Sequence, residues 1–134
     1  MILLDSTVIV AFLDADDELN APTVARFRQL LGSEPLAASV ISYAEVMTGA
    51  VLGHHAVKAV EGFFDTFIAS LLPVERPVAA RAAAIRGKRS SLAMPDALIL
   101  ATADLHPEID TALCADAQWS KVRGLNCKVE LLRA

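Results

Sequence analysis

Apolar residues fall along this chain in two rhythms. Short apolar blocks, such as "ILL" at 2–4 and "TALCA" at 111–115, are bounded by charged or turn residues and read as buried strands. Between them lie longer stretches in which apolar positions recur every three or four residues, as in amphipathic helices. The pattern predicts strands over 2–4, 36–38, 72–74, 111–115 and 128–132, and helices over 7–13, 22–31, 42–52, 56–71, 77–86 and 95–105. Pro22 suits a helix start, because the N–H it lacks would be unpaired there anyway. Gly53 and Gly87 are expected to stop helices, and Pro107 to block the continuation of another. Strands alternating with helices define an α/β fold with a mostly parallel central β-sheet flanked by α-helices. No repeat, low-complexity tract or linker interrupts the pattern, so residues 1–134 are expected to form one domain.

Composition narrows the setting. Hydrophobic residues make up 54% of the 134 positions, enough for a substantial core. No apolar run approaches the roughly 18 residues of a membrane span. The first residues carry neither a basic region nor a small-residue cleavage site, so no signal peptide is read and a cytoplasmic location is expected. Cys114 and Cys127 match no metal or redox spacing and are expected to be free thiols. The formal net charge of −4 argues against a surface coated in positive charge for general nucleic-acid binding. An acidic site that loads metal cations remains open, because bound ions invert the local field.

In "MILLDSTVIVAFL" a single carboxylate, Asp5, sits between two segments that both belong in a core. A buried carboxylate needs a partner, a proton or a metal. Three further acids stand where an element changes: Glu45 in "SYAEVMTGAVL", Asp96 in "PDALILATA" and Asp116 after "TALCA". Each has an ordinary structural explanation. Asp5 and Asp116 can be helix N-caps. "SYAE" reads as a capping box, with Ser42 as cap and Glu45 at the third helical position. Asp96 lies in a first helical turn, where the macrodipole favours an acid. Yet a cap needs only Ser or Asn, and here all four are carboxylates. Helix starts that follow parallel strands share one edge of the sheet. Four acids gathered there repel one another unless divalent cations lie between them, and oxygen ligands suit Mg²⁺ or Mn²⁺ rather than zinc.

Four segments carry a resemblance to a known family: "LLDSTVIVAFL", "ISYAEVMTG", "MPDALILATA" and "CADAQWSKVRGLNCKVELL". In this order and at these separations they resemble the PIN domain, and specifically the small VapC-type toxin ribonucleases of toxin–antitoxin pairs. The resemblance runs through essentially the whole chain. It implies metal-assisted hydrolysis of RNA phosphodiester bonds, leaving 5′-phosphate and 3′-hydroxyl ends. Asp5 and Asp96 would bind Mg²⁺ or Mn²⁺ most directly, and Glu45 and Asp116 would complete the site through water or a second ion. Thr7 matches a hydroxyl position that the family often has near the metal. Where the family often has Thr-x-Asp, this chain has Cys114-Ala115-Asp116, so a thiol replaces a hydroxyl. The resemblance further implies a homodimer and a small antitoxin whose C-terminal segment occupies the active-site groove.

The densest basic segment, Arg81, Arg86, Lys88 and Arg89, precedes Asp96 and fits contacts to RNA backbone phosphates, though a solvated helix face with a basic end explains it as well. His54 and His55 follow Gly53 in an apparent turn and have no third ligand nearby. Trp119 is expected to pack the segment after Asp116 onto the core rather than to stack on a base. Phe63, Phe64 and Phe67 exceed what one helix face usually needs, so part of that surface is expected in the core and part in an interface. The mean hydropathy of +0.46 suggests that a partner aids solubility. Three rivals remain. A haloacid-dehalogenase-like phosphatase needs a second Asp two residues after the first, where this chain has Thr7. A receiver-type signalling domain needs adjacent acids after the first strand, and "LLDST" has one. A non-catalytic PIN-fold binding module is opposed by the presence of all four acids.

Overall fold

The computed structural model describes residues 1–134. In chain order its elements are β1 (Ile2–Leu4), α1 (Ser6–Leu13), α2 (Asn20–Leu30), β2 (Leu36–Ser39), α3 (Val40–Val51), α4 (Val57–Phe67), β3 (Ile68–Leu72), α5 (Arg76–Lys88), α6 (Met94–Leu105), β4 (Thr111–Cys114), a 3-10 helix (Ala117–Lys121) and β5 (Lys128–Leu131). The five strands form one sheet in the order β3-β2-β1-β4-β5, and every neighbouring pair is parallel. β1 has only three residues, all buried, but it lies at the centre, where Leu3 pairs with Ala37 of β2 and Ala112 of β4.

Side chains alternate across each strand, so the central strands feed two cores. Ile2, Leu4 and Leu113 face a core built with Val8, Phe27, Val46 and Phe63 from α1 to α4. Leu3, Ala112 and Cys114 face the other, with Ala82, Ile85, Leu100 and Trp119. Burial on both faces explains why β1 and β2 read as unbroken apolar runs. Phe12, Phe27, Phe63 and Phe67 stack and tilt together under α4, with ring centroids 4.8 to 6.2 Å apart. Phe63 and Phe64 are buried and Phe67 half-buried, so this aromatic surface belongs mainly to the core. Both cysteines are buried free thiols. No helix is long and apolar enough to cross a membrane.

The expected elements are all present, with four shifts. The helix predicted over 22–31 runs Asn20–Leu30, so Pro22 is its third residue, still within the first turn where the missing N–H costs no helical bond. The helix predicted over 56–71 ends at Phe67, and the strand placed at 72–74 is instead Ile68–Leu72. No Gly or Pro separates the two, and the register with β2, Ser70 to Ala37 and Leu72 to Ser39, sets the boundary. The third helix starts at Val40, so its cap is Ser39, whose hydroxyl accepts from Ile41 N at 3.0 Å. Ser42 lies inside the helix with its buried hydroxyl unpaired, and the capping box with Glu45 is not formed. α5 passes through the exposed Gly87 and ends one residue later, at Lys88.

Candidate active site

Asp5 follows β1 directly, and its side chain is 1% exposed. Its backbone N–H donates to Leu113 O at 2.9 Å, which continues the β1–β4 ladder and fixes the residue at the carboxyl edge of the sheet. It caps α1 as expected: Oδ1 accepts from Ser6 N at 2.8 Å, and Oδ2 accepts from the Thr7 hydroxyl at 2.6 Å. Burial raises the Asp5 pKa; the Thr7 and Ser6 bonds oppose that rise, and Glu45 adds to it.

Glu45 projects from α3 and is exposed. Its partner is Ser6, whose hydroxyl donates to Glu45 Oε1 at 3.0 Å and lies 3.4 Å from Asp5 Oδ1. Ser6 therefore links two of the acids, a role that the sequence reading did not assign; the only sequence signal for it is its position next to an acid at a strand end. Asp96 occupies the first turn of α6. Burial, then the charges of Asp5, Glu45 and Asp116, push its carboxyl up from 3.8 to about 6. Asp116 follows β4 and caps the 3-10 helix, its Oδ1 accepting from Gln118 N at 2.9 Å. The four acids, drawn from four elements, thus act on one another at a single edge.

Two further acids enlarge this region. Asp17 and Glu18, which look like solvated surface in "DADDE", line a cleft of about 370 Å³ together with Ser6, Thr7, Val10 and Glu45. Burial, then the Asp5 charge, pushes the Cys114 thiol up to about 12, so it stays protonated at neutral pH and supplies no thiolate. Its sulfur lies 3.6 Å from Asp116 O, a contact to the backbone rather than to the carboxylate.

The donor set is therefore oxygen-only, which suits a hard divalent cation such as Mg²⁺ or Mn²⁺. No three His, Cys, Asp or Glu side chains are grouped closely enough to hold an ion by themselves. Mg²⁺ tolerates such an arrangement, since it keeps several waters and takes only one or two carboxylates directly.

The remaining candidates separate. Arg81 is ion-paired with the buried Asp104 at 2.7 Å and also donates to Gly124 O at 3.2 Å. Arg86 donates to Leu92 O at 2.7 Å and Ser90 O at 3.0 Å. Lys88 and Arg89 form no ion pair. Trp119 is fully buried in the second core. His54 and His55 lie beyond the C-terminal end of α3, away from the sheet edge where that helix begins.

A doubly wound, all-parallel α/β protein with clustered carboxylates at its carboxyl edge is the class that fold and site define. The chain belongs to the PIN-domain family, whose model matches residues 2–125. That membership sets aside the phosphatase and receiver alternatives. Among solved structures, FitAcB from Neisseria gonorrhoeae is 28% identical, with 96% of each chain covered and a TM-score of 0.74. A toxin–antitoxin complex from Klebsiella pneumoniae is 23% identical, covering 99% of this chain and 98% of that one, with a TM-score of 0.77. VapC20 from Mycobacterium tuberculosis, described as a sarcin-ricin-loop-cleaving toxin, is 16% identical over 96% of this chain and 99% of that one, with a TM-score of 0.75. The last two share the fold. A search of curated protein sequences finds no match.

Proposed function

We propose that this chain is a Mg²⁺- or Mn²⁺-dependent endoribonuclease, the toxin of a VapBC-type pair. The observation that carries the reading is the gathering of Asp5, Glu45, Asp96 and Asp116 at one sheet edge, where burial first and then the charges of the other three raise the Asp96 carboxyl to about 6. Carboxylates of one sign stay together in a fold when a cation is part of the working state. The family match and the toxin neighbours support the assignment.

Asp5 and Asp96 would hold the ion, and Glu45 and Asp116 would complete the site. Thr7 and Ser6 keep the Asp5 oxygens oriented. When bound, the metal lowers the pKa of a water and stabilises charge on the phosphate, so that hydrolysis leaves a 5′-phosphate and a 3′-hydroxyl. A small antitoxin partner and a homodimer complete the proposal, and the acidic cleft at Asp17, Glu18 and Glu45 suits a basic side chain from the antitoxin.

The test compares the antitoxin-free protein with its Asp96→Asn variant on total RNA, in Mg²⁺, in Mn²⁺ and in EDTA, with the cut ends mapped. Metal-dependent cleavage that leaves 5′-phosphates and disappears in Asp96→Asn is expected. A folded wild type that cuts nothing and binds no Mn²⁺ by calorimetry would establish a non-catalytic PIN-fold binding module instead.

A further inference from the structure

A second cavity, of about 310 Å³, opens where the last turn of α5 meets the segment after the 3-10 helix. Four of the twelve cations of this acidic chain, Arg81, Lys88, Arg89 and Arg123, line it together with Ile85 and Val122, and no acid does. Two arginines build the frame. Arg81, neutralised by Asp104, ties down Gly124, whose φ of +73° turns the chain beside Arg123. Arg86 clamps the carbonyls of Ser90 and Leu92 and so fixes the turn that carries Arg89. The other three cations, Lys88, Arg89 and Arg123, have no ion-pair partner.

The dipole of α5 accounts for Lys88 and Arg89 at its C-terminal end. It does not account for Arg123, which a separate segment brings to the same cavity. Each wall is also tied to the acidic site. Arg89 precedes Asp96 by seven residues and Arg123 follows Asp116 by seven, and the Ser91 hydroxyl meets Gln118 Oε1 at 3.4 Å between the two segments. Seven residues reach at most about 25 Å, so the cavity lies within a short stretch of nucleic acid from the carboxylates.

We propose that this cavity binds the phosphodiester backbone of the RNA substrate away from the scissile bond, with Lys88, Arg89 and Arg123 as its phosphate ligands. The proposal rests on the nuclease reading for the identity of the polyanion. It assigns Arg81 and Arg86 to positioning rather than to contact.

The test measures binding without turnover. The full chain carrying Asp96→Asn is titrated in EDTA against a fluorescein-labelled single-stranded RNA of mixed sequence, with anisotropy read across a salt series. In that background, Lys88→Ala/Arg89→Ala/Arg123→Ala is expected to bind about tenfold more weakly. Its slope of log affinity against log salt should fall by about 0.7 for each phosphate that the protein no longer neutralises. Arg123→Lys should retain binding that Arg123→Ala loses, and Lys58→Ala on α4 should change nothing. Circular dichroism checks that each variant is folded. Unchanged affinity and slope in the triple variant would overturn the proposal even if the wild type cleaves RNA, and loss of polyglutamate binding alone would give the cavity to an acidic polypeptide. Loss of RNA binding in a chain that never cleaves would sink the nuclease reading and leave the phosphate site standing.

Discussion

The hydroxyl of Ser6 donates to Glu45 Oε1 at 3.0 Å, across 39 positions of sequence. The bond holds an exposed carboxylate of α3 over the buried carboxylate that caps α1. Ser6→Ala frees Glu45 without uncovering the core, so it should leave thermal stability within about 0.5 kcal/mol of wild type. Mn²⁺ affinity, read by calorimetry, should drop by about tenfold, as when a ligand loses its outer support.

Thr7 acts more directly, because its hydroxyl donates to Asp5 Oδ2 at 2.6 Å and favours the ionised acid. Thr7→Val removes that donor, so the Asp5 pKa should rise further. Mn²⁺ binding should weaken by about ten- to a hundredfold at pH 6 and by less at pH 8, because a higher Asp5 pKa adds proton competition that grows as pH falls. Equal loss at both pH values would show that the hydroxyl matters for geometry alone.

Asp96 makes the metal-free protein sensitive to pH. Its carboxyl titrates near 6 when folded, against 3.8 ordinarily. Below 3.8 both states hold the proton and the group has no differential effect. As pH rises through this window the unfolded chain releases its proton more readily, so stability falls, and the full penalty persists above 6. In EDTA the wild-type Tm should therefore fall relative to that of Asp96→Asn between pH 4 and pH 7. Mg²⁺ should restore it at pH 7.5, and a difference that ignores pH would contradict the raised Asp96 pKa.

The start of α3 offers a paired comparison. Ser39→Ala removes the hydroxyl that caps Ile41 N and should destabilise the protein by about 1 kcal/mol in urea unfolding. Ser42→Ala removes a buried hydroxyl with no partner and should be neutral or stabilising. The reverse ranking would move the cap back to Ser42.

Arg81 is half of a pair whose other member, Asp104, is 4% exposed. Arg81→Met leaves that carboxylate with one donor, the backbone N–H of Asn126, which reaches Asp104 Oδ1 at 2.7 Å. Because the arginine is partly exposed, a loss of about 2 kcal/mol is expected, below the usual figure for a fully buried pair. Arg81→Met/Asp104→Leu should recover most of it.

The strand–helix alternation and the four acids were legible because both are local: an apolar block, then a carboxylate. The α4–β3 boundary was not. Phe67 and Ile68 join without a breaker, and only pairing with β2 decides where helix becomes strand. The cap of α3 was misplaced at Ser42 because the Ser-x-x-Glu spacing is a local signal, whereas the end of β2 at Ser39 starts the helix three residues earlier. Charge on Arg81 and Arg86 was visible, but their partners Asp104 and Leu92 are not written in the spacing. Asp17 and Glu18 looked like surface because the cleft they line forms only when α1 and α3 meet.

The place of β1 governs when the protein becomes competent. It is the earliest strand in the chain and the middle one in the sheet, flanked by β2 and by β4, which begins at Thr111. Asp5 gains its backbone bond to Leu113 and the company of Asp116 only once that late strand has left the ribosome. A chain emerging at ordinary speed therefore spends most of its synthesis without an assembled site. The carboxylates are therefore brought together late, and a fragment ending before Thr111 lacks both Asp116 and the strand that positions Asp5.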